Sequence, residues 1–187
     1  TVLVLFVTCY IGMAQVSAST LLNAARAGND RQLSRMLGSG VDIRERGPRG
    51  ETALHWMAFY GNQAMIGQLI EAGAGIDDRL DKGSTPLHLA AYNGHSGVVR
   101  LLIDKGAKVN VRTRNGFTPL DWARRNGHAG VAELLLAHGA KPGQTSAGGD
   151  IASHHGGYGQ EISRPQGAAA PMQRARRDTG EKGAYSP

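Results

Sequence analysis

The chain is poor in cysteine and in aromatic side chains, and both shortages narrow what it can be. Its 187 residues hold one cysteine, Cys9, and aromatics make up 5%. One thiol closes no disulfide within the chain, and three Phe, five Tyr and two Trp cannot fill a large aromatic core. Charge is missing from the first eighteen residues, Thr1 to Ala18. Also missing are a Gly-x-Ser-x-Gly elbow, a phosphate-cradling Gly-Lys-Ser/Thr loop and any paired-carboxylate pattern. Catalysis has no candidate residues, so the sequence reads as a non-enzyme that needs no cofactor.

The uncharged opening is an apolar run from Val2 to Ala14, followed by Gln15-Val16-Ser17-Ala18 with small or β-branched residues where a signal peptidase reads. It predicts a secretory signal over residues 1–18, cleaved after Ala18, and an extracytoplasmic protein, periplasmic or secreted and bacterial in type. Because residue 1 is Thr, the initiator Met and a basic leader are expected to be missing from this segment. The competing expectation is an uncleaved membrane anchor, but the run is thirteen residues, against about 20 for a spanning helix. Thr8 precedes Cys9 and Tyr10-Ile11 prolong the apolar run, which disfavours lipidation. After cleavage no cysteine is left, and packing alone must hold the domain.

What the sequence does have is repetition. "GETALHWMAFYGN" (50–62), "GSTPLHLAAYNGH" (83–95) and "GFTPLDWARRNGH" (116–128) recur every 33 residues. Thr52, Thr85 and Thr118 align, as do Leu54, Leu87 and Leu120, and Gly61, Gly94 and Gly127. A motif copied at fixed period is a stacking unit, whereas a catalytic constellation is built once from unlike parts. An earlier copy, "STLLNAARAGNDRQLSRMLGSGVDI", begins at Ser19, where the signal would end. The pattern predicts a short helix such as Pro86 to Asn93, a break at Gly94 and a second helix from His95 to Lys105. That second helix would bury a stripe of Val98, Val99, Leu101, Leu102 and Ile103. Gly106 would end it, as Gly40, Gly73 and Gly139 would end its counterparts.

The core Thr85-Pro86-Leu87-His88-Leu89-Ala90-Ala91, with Gly94-His95, Leu101-Leu102-Ile103 and Gly106-Ala107, resembles the ankyrin repeat in motif and period. The resemblance runs from Ser19 to Lys141. It implies an all-α solenoid of four stacked helix-turn-helix units joined by short hairpins, at 19–46, 47–79, 80–112 and 113–141. Repeat one lacks Thr-Pro and has Leu21-Leu22 for Leu-His, as a degenerate cap would. Repeat four has Asp121 in place of His55 and His88, and Arg124 where Ala25, Ala58 and Ala91 stand. Burying that arginine unpaired would be costly, so the array is expected to stop at four. Residues 142–187 turn to Gly, Ala, Ser, Gln and Pro and predict a disordered tail. The tail carries five Lys/Arg against four Asp/Glu, so +5 of the net +6 lies upstream of it.

The resemblance makes His55 and His88 structural, each bonded to its threonine and to the neighbouring repeat's backbone, and gives His95 and His128 no site. Trp56 and Trp122 read as packing residues. His154-His155, beyond the repeats, lacks the further ligands a closed metal site needs. A metal-handling or enzyme-associated accessory role for the tail rests on that pair alone. Arg174 to Arg177 is short for a nucleic-acid or membrane patch, and Asp178 and Glu181 follow it.

By the same resemblance, hairpin tips and the inward ends of the first helices line a concave groove that reads a protein partner. The positions are Arg26 in repeat one, and Arg49, Glu51, Phe59 and Tyr60 in repeat two. Repeat three supplies Asp81, Lys82, Tyr92 and Asn93, and repeat four Arg114, Asn115, Phe117, Arg125 and Asn126. Phe59, Tyr60 and Tyr92 ringed by Arg and Lys have the composition of an interface centre. The expected partner is one protein with an acidic rim, bound by a monomer, with no nucleic acid, small-molecule substrate or metal. A membrane would be involved only if the N-terminal segment stays uncleaved.

Overall fold

Every first helix of the array starts where the sequence supplies a capping threonine. The computed structural model describes residues 20–143, and among them the only regular elements are eight helices. They are α1 (Leu21–Arg26), α2 (Asp30–Leu37), α3 (Ala53–Tyr60), α4 (Gln63–Glu71), α5 (Pro86–Tyr92), α6 (Ser96–Asp104), α7 (Pro119–Arg125) and α8 (Ala129–Ala137). Thr20, Thr52, Thr85 and Thr118 stand at the N-caps of the odd-numbered helices, and Pro86 and Pro119 occupy first-turn positions where a missing N–H costs nothing.

The helices form two layers. α1, α3, α5 and α7 pack side by side in one, α2, α4, α6 and α8 in the other, and each pair closes on itself. α3 is apolar nearly all round, with Ala53 to Ala58 buried, because it has a neighbour on each side and its partner α4 beneath. The core runs unbroken along the stack through Leu33, Leu54, Ile66, Leu87, Leu102, Leu120 and Leu135, all fully enclosed. On α6 only Val98, Val99 and Leu102 of the predicted stripe are buried. Leu101 and Ile103 are half-buried at its edges. Asn93 caps α5 and His95 and Lys105 cap α6, so each helix is slightly shorter than the pattern suggested.

Successive units are locked at their polar seams. In repeat three the Thr85 N–H donates to His88 Nδ1 (3.2 Å), and Thr85 Oγ1 lies 2.9 Å from the same nitrogen. An Nδ1 that accepts leaves the ring proton on Nε2, which reaches the Phe117 carbonyl of repeat four at 3.2 Å. His55 holds Thr52 in the same way, and its Nε2, buried, lies outside good hydrogen-bond geometry. A second histidine row reaches backwards: His95 Nε2 is 3.0 Å from the Phe59 carbonyl, and His128 Nε2 is 2.9 Å from that of Tyr92. These rings lie over Gly61 and Gly94, both at positive φ, where an added Cβ would stand 2.7 and 2.5 Å from the imidazole. Glycine is required there by the neighbour as much as by the turn.

The hairpins are short and in register. Leu80 N–H donates to Ser84 O (2.9 Å) and Thr113 N–H to Phe117 O (2.9 Å), while Asp81 N–H bonds Arg49 O (3.0 Å) and Arg114 N–H bonds Lys82 O (2.9 Å) across repeats. In repeat four Asp121 takes histidine's place: it accepts from Thr118 N–H at 2.8 Å and from Gly143 N–H at 2.8 Å. Gly143, assigned to the tail by composition, is therefore fixed against the array, where any Cβ would collide with the Gly116 carbonyl. Arg124 is exposed. The remaining tail and the N-terminal segment lie outside the described residues.

Burial drives the His55 and His88 imidazoles down from 6.5 to about 4, their backbone contacts to Ser84 and Phe117 opposing it. The unfolded chain then binds protons first, so both histidines withdraw stability as pH falls from about 6.5 to about 4, by at most about 1.4 kcal/mol per pH unit each. His95, lowered chiefly by burial, acts in the same direction. Thermal melts across that window should show the midpoint falling with pH, and His88→Gln should flatten the slope. A midpoint that is constant over the window would contradict the buried neutral imidazoles.

Candidate functional site

The predicted groove positions resolve into rows with the period of the fold. Arg26, Phe59, Tyr92 and Arg125 are 33 residues apart on α1, α3, α5 and α7, and all are half-buried. Tyr60, Asn93 and Asn126 form the next row, and Arg49, Lys82 and Asn115, all exposed, form the row of hairpin tips. Asp81 and Arg114 are exposed beside them. The stacked odd-numbered helices bring the first row onto one face.

The row's chemistry is aromatic at its centre and cationic at its ends. Trp56, Phe59 and Tyr60 form one ring cluster, with centroids 5.6 to 6.3 Å apart. Tyr92 meets Trp122 edge-on at 5.7 Å, so the third predicted aromatic packs toward repeat four. The Arg26 guanidinium lies 5.5 Å from the Trp56 ring centroid and that of Arg125 lies 4.8 Å from Phe117. The guanidinium, planar and weakly hydrated, is the cation best suited to lie over such ring faces.

Several of the predicted reading residues have structural contacts of their own. Glu51 is 4% exposed. It accepts from Arg26 Nη2 at 2.6 Å and from the Arg49 N–H at 2.8 Å, so it holds repeat one to repeat two and leaves no carboxylate for a partner. Burial pushes its pKa up, but the backbone N–H groups of Glu51 and Arg49 and the Arg26 guanidinium outweigh this and leave it lowered. Tyr60 donates its hydroxyl to the Arg26 carbonyl (2.7 Å), tying the same two repeats. The Asn93 and Asn126 amides donate to Leu89 O (3.1 Å) and Trp122 O (2.8 Å), closing their own helices. Phe117 is half-buried under Arg125 and is a support for that cation.

Sequence reading missed two features. The Glu45 carboxylate accepts from the Leu22 N–H at 3.2 Å, capping the start of the array. Arg46 pairs with Asp78 across the loops of adjacent repeats. The available signal for the second was the recurrence of arginine at 46, 79 and 112. Among the described residues no three His, Cys, Asp or Glu gather as metal ligands, and no helix is long and apolar enough to cross a membrane. His154 and His155 lie outside the described residues.

Removing the Glu51 carboxylate should free repeat one alone. In Glu51→Ala, amide exchange of α1 should accelerate markedly while α5 to α8 keep their protection. Uniform acceleration along the array, or none, would contradict a local clamp.

The sequence model described as Ankyrin repeats (3 copies) matches residues 21–113 and 68–146, overlapping spans that cover more than half of the chain. A search of curated proteins found no match. The helix pairs, their locking histidines and this match agree, and the chain belongs to the ankyrin repeat family.

Proposed function

We propose that this array is a non-enzymatic binding module that holds one protein partner in its concave groove. Repeats of this family are generally protein–protein interaction modules, and the observation that carries the finer reading is the periodic row Arg26, Phe59, Tyr92 and Arg125. Its half-exposed aromatic centre is flanked by the exposed cations Arg49, Lys82 and Arg114. An interface centre rich in Tyr, Phe and Arg matches the composition of binding hot spots. The partner therefore has an apolar centre and an acidic rim, and the module binds it as a monomer without nucleic acid or small-molecule substrate. The uncharged opening with Val16-Ser17-Ala18 supports an extracytoplasmic location, and N-terminal sequencing of the native protein should read Ser19 first.

A rim charge mainly governs association rate and salt dependence, whereas a central aromatic carries about 2 kcal/mol or more. With the partner recovered from the cell envelope, Tyr92→Ala should weaken binding at every salt concentration, its melting curve reporting any loss from the Trp122 contact. Arg114→Ala should weaken binding chiefly at low salt. Unchanged affinity in both variants would move the partner off the groove.

A further inference from the structure

The loops that lead from each second helix into the next hairpin carry arginine at a fixed place, Arg46, Arg79 and Arg112, 33 residues apart. What the first two meet differs. Arg46 donates to the Asp78 carboxylate and, at 3.4 Å, to the Arg79 carbonyl. One period on, Val111 stands where Asp78 stood and Asn110 where Asp77 stood. The hydrogen bonding survives this exchange: Lys108 N–H donates to the Asp77 carboxylate at 3.0 Å, and Lys141 N–H to the Asn110 amide oxygen at 2.6 Å. Both negative charges are gone, however. Arg79 Nη2 is held by the Arg112 carbonyl at 2.5 Å, which fixes the guanidinium but does not neutralise it.

Beside it opens a cleft of about 540 Å³ lined by Arg79, Lys108, Val109, Val111, Arg112 and His138, together with Asn110. No carboxylate is among these residues. His138 Nδ1 is engaged by the Leu134 carbonyl at 2.8 Å, which places its proton there. None of the lining residues belongs to the concave rows, so the cleft is a surface of its own and does not depend on the groove.

We propose that this cleft binds an acidic segment of a protein partner, one carboxylate taking the place beside Arg79 that Asp78 takes beside Arg46. The array supplies the template itself, because the loop that satisfies Arg46 reads Ile76-Asp77-Asp78, an aliphatic residue followed by two acids. A fixed guanidinium favours a carboxylate in planar geometry. The Val109 and Val111 floor suits the aliphatic neighbour of such an acid and offers nothing to a bare inorganic anion. A volume in this range takes a few residues of chain.

The test is a titration of the full chain with the tetrapeptide acetyl-Gly-Ile-Asp-Asp-amide, followed by amide and guanidinium NMR shifts, with inorganic phosphate run in parallel. The peptide should shift residues 108–112 and the Arg79 side chain saturably, and less as salt rises. Val111→Asp, which restores the carboxylate within the chain, should weaken binding by at least about tenfold. Arg79→Gln should do the same without altering the floor, and Arg35→Ala, exposed on α2 and far from both surfaces, should leave the peptide's affinity unchanged. The proposal is overturned by shifts centred on 49, 82 and 114, by no saturable shift, or by affinity unchanged in both Val111→Asp and Arg79→Gln. Equal saturable shifts from phosphate would also overturn it, in favour of a simple anion site.

Discussion

Among the described residues no helix pair can hide its own apolar surface from water. The helices are six to nine residues long, below the length at which an isolated helix holds together in water. α3 and α5 are apolar around most of their circumference. Each pair is stable only while its neighbours cover it, and the rest of the structure follows from that dependence. Alanines line the seams because the next backbone presses close, and glycines stand where the next repeat's imidazole lies over the chain. The buried histidines remain neutral because a charge at the seam would be desolvated on both sides.

An array held by its neighbours must solve its ends differently. At the N-terminal end the seam positions change character: Leu22 stands where the inner repeats have His, and Glu45 and Glu51 reach back to hold α1 and Arg26. At the other end Asp121 replaces His and anchors the outgoing chain at Gly143, while Arg124 stands exposed where the inner repeats bury alanine. Leu136, one period after half-buried Ile103, is 43% exposed because no described helix stacks beyond α8. The polar outer face that terminal repeats require is thus only partly built at this end.

Most of the frame was legible in the sequence because it is local and repeated. Thr-Pro at the helix start, Gly after the second helix and leucine spacing all report backbone needs that each unit meets alone. The site was less legible, and Glu51 shows why. In the sequence it is one more variable residue at a hairpin tip, and only its position one helix away from Arg26 makes it a buried clamp. Tyr60 and Asn93 carry structural contacts that the sequence could not show for the same reason, since their polar atoms are engaged by carbonyls that proximity alone reveals. Gly143 looked like tail composition, although it is required by the carbonyl of Gly116 above it. Periodic rows identify which positions vary, and three-dimensional contacts determine which of those remain open to a partner.

If mutual cover is the source of stability, a cavity in one repeat must loosen its neighbours. The direct measurement is native-state amide exchange on Leu87→Ala, whose leucine is fully buried in the central seam. The expected loss is about 2–5 kcal/mol. The account predicts that protection falls in α3 and α7 along with α5, since both rely on α5 for cover. Loss of protection confined to α5, with α3 and α7 exchanging as before, would show that the repeats are stable singly and would contradict it.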